Sequence, residues 1–331
     1  MTFNRLKQPG ASFDPRAVNI PSRGIGPLPT AKTVWAIGGG KGGIGKTLLT
    51  SNMAVYLSWI NKRVVVVDLD LGGSNLHTSL GVEAPTKTLS DLVLGKTDRI
   101  ADLLQPTSIR GLQIISGAFD PIGITSLHHA QRTRLIRQID AIDADFVLLD
   151  LGAGTSSSTL DFFLAAERKI ILVTPEPTSI ENAYRFIKLA FYRMLRAATP
   201  SPEARHLIEQ AMDLKNAYGI KSPRDLLQEM RRLSPDHGVA LEKLMADFSL
   251  SLIVNQVRAK SESDIGKSIQ LVCERYFGMR VDYMGYLPYD TAVWQSVRRR
   301  MPFLIDAPHS IAVTHLESIL RNLLKPAGEK R

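Results

Sequence analysis

The sequence predicts an α/β fold in which helices cover both faces of a doubly wound, mostly parallel sheet. Two observations support this prediction. Short apolar runs rich in β-branched residues recur along the chain, and amphipathic helical patterns separate several of them. Continuous apolar runs are typical of strands that are buried on both faces, as in a parallel sheet. Strands that alternate with helices are typical of doubly wound domains.

Each predicted element follows from its own segment of the chain. The apolar runs predict strands at residues 34–37, 64–67, 112–115, 146–149, 170–173 and 252–254. The amphipathic patterns predict helices at residues 47–60, 131–142, 158–166 and 178–195.

One stretch, from about residue 197 to residue 247, interrupts this alternation because it shows no strand pattern. Ser-Pro occurs three times in it, at 201–202, 222–223 and 234–235. A serine N-cap followed by proline at the first helical position is a helix-start signal. We therefore predict a short all-helical insertion of two or three helices. Phosphorylation of the Ser-Pro sites is the alternative interpretation.

The charge of the chain lies mainly at its two ends. The 331 residues carry a formal net charge of +9. Residues 1–33 hold five basic residues and one acidic residue, and residues 298–331 hold seven basic and three acidic residues. The first segment is also rich in proline and glycine and has no periodicity. We predict a disordered or extended basic arm at 1–32, one domain at 33–326 and a tail at 327–331.

Cysteine content and hydropathy exclude several classes of protein. The one cysteine, Cys273, excludes a disulfide framework, and it excludes zinc and iron–sulfur sites that need several cysteines of one chain. No run approaches the roughly 18 apolar residues of a membrane-spanning helix. The first residues lack the apolar core of an export signal. We therefore expect a protein of a reducing, cytoplasmic compartment.

The strongest functional signal follows the first predicted strand. Residues 40–47 match the phosphate-binding pattern G-x-x-x-x-G-K-[ST] between a strand and a helix. Its glycines let backbone N–H groups surround phosphate oxygens at a helix N-terminus. We predict that Lys46 reaches the β- and γ-phosphates of ATP and that Thr47 binds Mg²⁺. The predicted nucleotide-binding residues of this loop are Gly40, Lys41, Gly42, Gly43, Ile44, Gly45, Lys46, Thr47 and Leu48.

A second lysine, Lys41, stands inside this loop, where the general pattern does not need one. The run Lys-Gly-Gly-Ile-Gly-Lys-Thr resembles the deviant Walker A motif of the MinD/ParA ATPases. In that family the extra lysine reaches across a dimer interface to the nucleotide of the opposite subunit. The resemblance therefore implies an ATP-dependent homodimer in which Lys41 and Lys46 are catalytic.

Two carboxylates end the second predicted strand. Asp68 and Asp70 are two residues apart, so they extend to the same side, at the strand end where ligands of such sheets bind. By the resemblance, Asp70 orients the attacking water and Asp68 lies near Mg²⁺. The alternative interpretation is a pair of turn or capping aspartates.

A third carboxylate, Asp150, ends the apolar strand at 146–149 and is interpreted as a Walker B aspartate. The predicted metal-binding residues are therefore Thr47, Asp68 and Asp150. The turn at Gly152 and Gly154 is the predicted switch that changes conformation with the γ-phosphate.

Two later segments narrow the resemblance to the FlhG (FleN) branch, the MinD-like regulators of flagellar number. They are residues 173–180 and residues 287–302. Asn255 aligns with a family asparagine that hydrogen-bonds adenine, and Pro288 and Asp290 fall in the loop that covers the base in relatives. An asparagine at a strand end can also be a simple turn residue.

The sequence also departs from the FlhG pattern in two places. The insertion at about 197–247 is absent from the typical family pattern, and residues 1–30 lack the Asp-Gln-Ala-x-x-Leu-Arg activation motif. Both departures weaken the expectation that the protein regulates flagella through the usual partner.

The C-terminal part of the chain offers two candidate surfaces. A basic amphipathic stripe ends the chain and is compatible with binding to a membrane surface, although we favour packing onto the sheet. Arg298, Arg299 and Arg300 favour nonspecific DNA binding, which we rank lower. Trp59 and Trp294 are predicted to be packing residues. The apolar residues of the stripe are Leu316, Ile319, Leu320, Leu323 and Leu324.

The resemblance implies a slow, Mg²⁺-dependent ATPase that is accelerated by an activating protein partner. It would act as a nucleotide-controlled dimerisation switch that positions a cellular structure, with flagellum number or placement as the first expectation. It would lie in the cytoplasm or peripherally on the inner face of the cell membrane. The alternatives are a ParA-like partitioning ATPase on nonspecific DNA and an ATP-binding adaptor with little turnover. A nitrogenase-reductase-like enzyme would need more than one cysteine.

Overall fold

The structure, a computed structural model, describes residues 31–83, 85–117, 127–212, 218–220 and 222–325. Most of the predicted arm and the whole predicted tail lie outside these residues. Within the described residues the strands are β1 (Thr33–Gly38), β2 (Val64–Leu69), β3 (Gln105–Pro106), β4 (Leu112–Ile115), β5 (Phe146–Leu151), β6 (Arg168–Val173), β7 (Ser249–Val257) and β8 (Arg280–Pro288).

Helices connect most of these strands and cover the sheet. In the same described part of the chain they are α1 (Lys46–Trp59), α2 (Leu76–Ser79), α3 (Leu89–Val93), α4 (His129–Asp140), α5 (Ser157–Ala165), α6 (Pro177–Ala198), α7 (Pro202–Met212), α8 (Pro223–Leu233), α9 (Pro235–Asp247), α10 (Ile265–Phe277), α11 (Thr291–Arg298), α12 (Phe303–Asp306) and α13 (Ile311–Leu324).

The strands form one sheet in the order β3-β4-β2-β5-β1-β6-β7-β8. Every neighbouring pair is parallel except β3 and β4, which are antiparallel. The prediction of a doubly wound, mostly parallel sheet is therefore confirmed. Two strands were not predicted from the sequence: β3, which has only two residues, and β8. The edge strand β8 was missed because its apolar residues are interrupted by Asp282 and Gly285.

The two faces of the sheet explain the continuous apolar strands. In β2, Val64 and Val66 belong to the buried cluster that also contains α1 and α13 residues, whereas Val65 and Val67 belong to the cluster that contains α4, α5, α6 and α10 residues. Successive side chains of a strand point to opposite faces, so a strand covered on both sides needs apolar residues at every position. The apolar stripe of α13 is buried in the first cluster, which agrees with the packing interpretation.

The stretch between β6 and β7 contains three short helices after α6. Each of α7, α8 and α9 begins at the proline of a Ser-Pro pair. At α8 the Ser222 hydroxyl accepts a hydrogen bond from the Asp225 backbone N–H, and the Asp225 side chain accepts one from Ser222 N–H. These helices pack against one another and against α6. In the described residues no helix is both long and apolar enough to cross a membrane.

Candidate functional site

The loop between β1 and α1 has a conformation that requires glycine at several positions. Gly43 and Gly45 have φ angles of 75° and 94°, in the left-handed region, and Gly45 is the N-cap residue of α1. A Cβ atom on Gly39 would come within 2.8 Å of the Leu172 carbonyl oxygen in β6. The loop is therefore tightly curled against the sheet, with the N-terminus of α1 at its end.

Lys46 is held inside this loop. Its side chain is 8% exposed, and its Nζ donates a hydrogen bond to the Lys41 carbonyl oxygen at 3.2 Å. Burial lowers the pKa of Lys46, and the nearby charges of Asp150 and Asp70 oppose this effect. A buried ammonium in a glycine-rich loop fits a site for phosphate oxygens.

Lys41 is oriented differently. Its Nζ lies 2.5 Å from Glu176 Oε2 and 3.1 Å from the hydroxyl oxygen of Thr178. Glu176 is the N-cap residue of α6, and Thr178 lies in the first turn of that helix. The ammonium of Lys41 is therefore held by the first turn of α6 and not by its own loop. Neither partner was singled out as a site residue from sequence.

The two predicted metal-site carboxylates lie side by side. Strands β2 and β5 are paired in a register that places Asp68 opposite Asp150, and both residues are buried. Burial raises the pKa of Asp68. Burial and the adjacent charge of Asp68 raise the pKa of Asp150 to about 7, against the opposing effects of the Thr47 hydroxyl, the Lys46 charge and the Thr50 hydroxyl.

Asp68 shapes the loop that follows β2. One carboxylate oxygen accepts a hydrogen bond from Asp70 N–H at 3.0 Å. The other accepts hydrogen bonds from the Ser74 hydroxyl at 2.6 Å and from Leu76 N–H at 3.1 Å. Both oxygens of Asp68 are therefore engaged by its own loop, which also carries Asp70.

Asp70 is partly exposed and faces the turn after β5. Its Oδ1 accepts a hydrogen bond from Gly72 N–H at 3.4 Å. A Cβ atom on Gly152 would lie 3.2 Å from the same oxygen, so glycine lets the two loops approach closely. Gly154 has a φ of 87°, which also favours glycine. The predicted switch turn and the predicted water-orienting carboxylate are therefore neighbours.

The residues around Asp150 fit a magnesium ion that also binds nucleotide phosphates. The Thr50 hydroxyl donates to Asp150 Oδ1 at 3.1 Å, and the Thr47 hydroxyl opposes the rise in the pKa of this carboxyl. Within the described part of the chain, no three His, Cys, Asp or Glu residues form a group that could hold a metal. Mg²⁺ would instead take Thr47, Asp150 and phosphate oxygens, which are the hard ligands that it prefers. Thr50 was missed from sequence, although it lies one helical turn after Thr47.

The predicted base-side residues have defined structural contacts. Asn255, which is 5% exposed, donates from Nδ2 to the Ile44 carbonyl oxygen at 2.7 Å and accepts from Gln256 N–H at 2.9 Å. Pro288 ends β8 beside Val257. Asp290 caps α11 by accepting a hydrogen bond from Ala292 N–H at 2.8 Å. Asn255 thus supports the phosphate-binding loop from β7, which lies two strands away from β1 in the sheet.

One prediction about this side of the molecule is wrong. Trp294, expected to be a packing residue, has 54% of its surface exposed. Trp59 does pack against the buried cluster that contains α1. Helix α11 has only two turns, and its inner face is occupied by Ser296, so the large side chain at 294 is left on the outer face.

Comparisons with known proteins identify the family of the chain. The model of the ParA family, described as NUBPL iron-transfer P-loop NTPase, matches residues 30–197. The antiactivator FleN of Pseudomonas aeruginosa is 25% identical over 291 residues, which are 88% of this chain and 85% of FleN. The septum site-determining protein MinD of Helicobacter pylori is 30% identical over 262 residues, which are 76% of this chain and 93% of that protein.

A solved structure supports the fold. MinD of Pyrococcus horikoshii, complexed with Mg-ADP, superposes with a TM-score of 0.60 at 20% sequence identity and covers 90% of this chain and 98% of that one. The sheet, the loop geometry, the family match over half of the chain and the MinD relative lead to the same assignment. The chain belongs to the ParA/MinD family of P-loop NTPases.

Proposed function

We propose that this protein is a Mg²⁺-dependent ATPase whose ATP-bound form is a homodimer and whose dimerisation positions a cellular structure. The observation that carries the proposal is the different placement of the two loop lysines. Lys46 is buried within its own loop, whereas Lys41 is directed to the start of α6. A lysine that does not serve its own phosphate site is available to serve the nucleotide of a second subunit.

The residues divide the chemistry of hydrolysis between them. Lys46 binds the β- and γ-phosphates and neutralises the charge that develops on them, and Lys41 adds a second positive charge from the partner subunit. Asp70 accepts a hydrogen bond from the attacking water and orients it. Thr47 and Asp150 would hold Mg²⁺, which supplies further charge neutralisation at the phosphates when it is bound.

The close approach of Gly152 to Asp70 could couple a conformational change of one loop to the position of the other. The turn at Gly152 and Gly154 lies against the loop that orients water, so a movement of this turn would reposition Asp70. We infer that a protein partner accelerates a slow basal hydrolysis through this arrangement. Flagellum number or placement is the process that we favour, because the FleN similarity extends over 88% of the chain.

The dimer is tested with Lys41→Ala. The wild-type chain should shift to twice the monomer mass on gel filtration when ATP and Mg²⁺ are added. Lys41→Ala should stay monomeric while still binding nucleotide. Lys62→Ala, which changes a lysine outside the loop, is the control. A dimer that forms equally well with Lys41→Ala would refute the trans role of this lysine.

Turnover is tested with Asp70→Ala in a phosphate-release assay. Loss of the water-orienting carboxylate should stop hydrolysis and leave the ATP-bound dimer in place, so the dimer should persist for as long as ATP remains. Wild-type turnover in this variant would remove Asp70 from the mechanism. No phosphate release by the wild-type chain, with or without DNA and lipid vesicles, would instead favour an ATP-binding adaptor.

A further inference from the structure

We propose that the exposed face of α11 is a docking surface for a membrane that contains anionic lipid. The surface consists of Trp294, Val297 and Arg298, with Arg299, Arg300 and Met301 in the turn that follows the helix; we call it the α11 surface. It is separate from the phosphate site. It is also separate from α13, whose apolar stripe is buried in the core.

The apolar part of the α11 surface is a stripe at helical spacing. Trp294 and Val297 lie three residues apart and are 54% and 53% exposed. Met301, 40% exposed, lies past the end of the helix, after Arg300, whose φ of 56° is left-handed, so helical spacing does not place it in this stripe. Residues three or four positions apart share one face of a helix. Apolar side chains are thus collected on the solvent side of this short helix.

The opposite face of α11 is fixed to the protein. Ser296 is fully buried, and its hydroxyl donates to the Asp306 carboxylate at 2.7 Å and contacts the Ala292 carbonyl oxygen at 3.0 Å. Asp306 also accepts a hydrogen bond from Arg299 at 2.9 Å. Because the inner face is anchored in this way, the helix cannot rotate to bury Trp294. The stripe therefore stays exposed in the single chain.

The polar part of the α11 surface is basic. The guanidinium of Arg298 lies over the Trp294 ring, 4.8 Å from its centroid. Arg299 forms an ion pair with Asp306, whereas the described residues provide no such pair for Arg298 or Arg300. A cation stacked on an aromatic ring keeps both groups at the surface. The positive charge of Arg298 and the apolar stripe therefore face the same side.

The combination of positive charge and apolar side chains indicates which kind of partner the α11 surface binds. Two copies that met by this surface would bring their arginines together, and the N-terminal arm is itself basic. A nucleic acid would pair with the arginines but would leave the apolar stripe unburied, since its backbone offers only phosphates and sugars. An anionic bilayer satisfies both parts. Trp294 and Val297 enter the interfacial layer while Arg298 binds lipid phosphate.

The test uses the full chain without nucleotide, so that its result does not depend on the proposed ATPase cycle. The chain is floated with vesicles of phosphatidylglycerol and phosphatidylcholine, and with phosphatidylcholine alone. We expect binding to the anionic vesicles and a blue shift of tryptophan emission. Of the three tryptophans, Trp35 is buried and cannot respond directly. The shift should be absent in Trp294→Phe, and a shift that persists in this variant would place the contact away from Trp294.

Two serine variants locate the binding surface. Val297→Ser should lower the fraction bound about fivefold, because it interrupts the stripe at an exposed position. Val239→Ser changes a valine that is 66% exposed on α9 and should bind like the wild-type chain. Replacing Arg298 and Arg300 with glutamine should abolish the preference for anionic vesicles. Unchanged circular dichroism of each variant excludes misfolding as the cause.

Several outcomes would overturn the proposal. Vesicle binding that survives Val297→Ser and the arginine replacements would place the contact elsewhere in the chain. An absence of vesicle binding, with retention of a short DNA duplex that the arginine replacements abolish, would assign the surface to nucleic acid. An absence of both would leave a protein partner as the occupant.

Discussion

The two halves of the sheet hold different kinds of polar group at their carboxyl ends. At the ends of β1, β2 and β5, the charged groups of Lys46, Asp68 and Asp150 are buried together. Burial disfavours the charged form of each one. At the ends of β7 and β8, Asn255 supports the phosphate-binding loop and Asp290 caps a helix. The first half carries buried charges, whereas the second supplies neutral support and helix caps.

This difference separates residues that act on phosphate from residues that maintain shape. Buried charged groups are costly, and their pKa values are strongly perturbed, which is typical of functional sites. Neutral hydrogen bonds and caps contribute to stability instead. Substitutions of the charged groups should therefore reduce turnover most. Among these groups, Asp68 should also affect the stability of the fold.

The largest effect is expected for Lys46→Ala. The variant removes the buried cation nearest to the phosphates, and turnover at saturating ATP should fall about 100-fold or more. Phosphate release measures it. Lys243→Ala, which changes an exposed lysine of α9, is the matched control and should keep wild-type turnover. Turnover of Lys46→Ala within twofold of the wild type would contradict the role of this half of the sheet.

The two carboxylates of the same half should respond in different ways. Asp68→Ala leaves three donors without their acceptor, so the free energy of unfolding should fall by about 2–3 kcal/mol. Asp150→Asn removes a carboxyl whose folded pKa is raised to about 7. A raised carboxyl pKa costs stability above the unfolded pKa, so at neutral pH this variant should be at least as stable as the wild type.

Thermal unfolding followed by circular dichroism compares these two variants. Phosphate release should fall in both of them. An Asp68→Ala variant with a wild-type Tm would mean that the loop after β2 does not depend on this carboxylate. An Asp150→Asn variant that unfolds at a lower temperature would mean that the charge of Asp150 is stabilising.

The sequence predicted the reacting groups better than their surroundings. The phosphate-binding loop is a local pattern, and Asp68, Asp70 and Asp150 follow apolar strands whose parallel arrangement places them at one end of the sheet. The contacts between distant segments were not predictable in this way. Glu176 is 135 positions from Lys41, and Ile44 is 211 positions from Asn255. Only the packing of the sheet and helices brings these pairs together.

The same limit applies to the exposed face of α11. The sequence analysis predicted that Trp294 is a packing residue, but the face of a helix that the protein covers depends on which neighbours the helix packs against. Ser296 and Asp306 decide this by anchoring the side opposite Trp294. The surface of a short helix is therefore a property of the tertiary structure, whereas the ends of long apolar strands can be predicted from sequence.

A moderate effect is expected for Asn255→Ala on the other half of the sheet. Loss of the hydrogen bonds to Ile44 and Gln256 should loosen the phosphate-binding loop and weaken ATP binding about tenfold. Titration with ATP and with GTP measures both affinities. An equal loss for both nucleotides supports a bracing role, while a loss confined to ATP would assign Asn255 to adenine recognition.

The smallest effect is expected for Glu176→Gln. This variant tests the ion pair that joins Lys41 of the phosphate-binding loop to Glu176, which follows β6 between the two halves of the sheet. In the single chain Lys41 is paired with Glu176, so its delivery to a second subunit requires this ion pair to break. Both side chains are partly exposed, and pairs of this kind contribute about 0.2–1 kcal/mol. Two such pairs break in each dimer, so the Kd for ATP-dependent dimerisation should fall about two- to thirtyfold in the variant. Analytical ultracentrifugation measures this Kd, and Thr178→Val, which keeps the ion pair, should shift it less. A weaker dimer in Glu176→Gln would show that this carboxylate contributes to the dimer itself instead of holding Lys41 in the monomer.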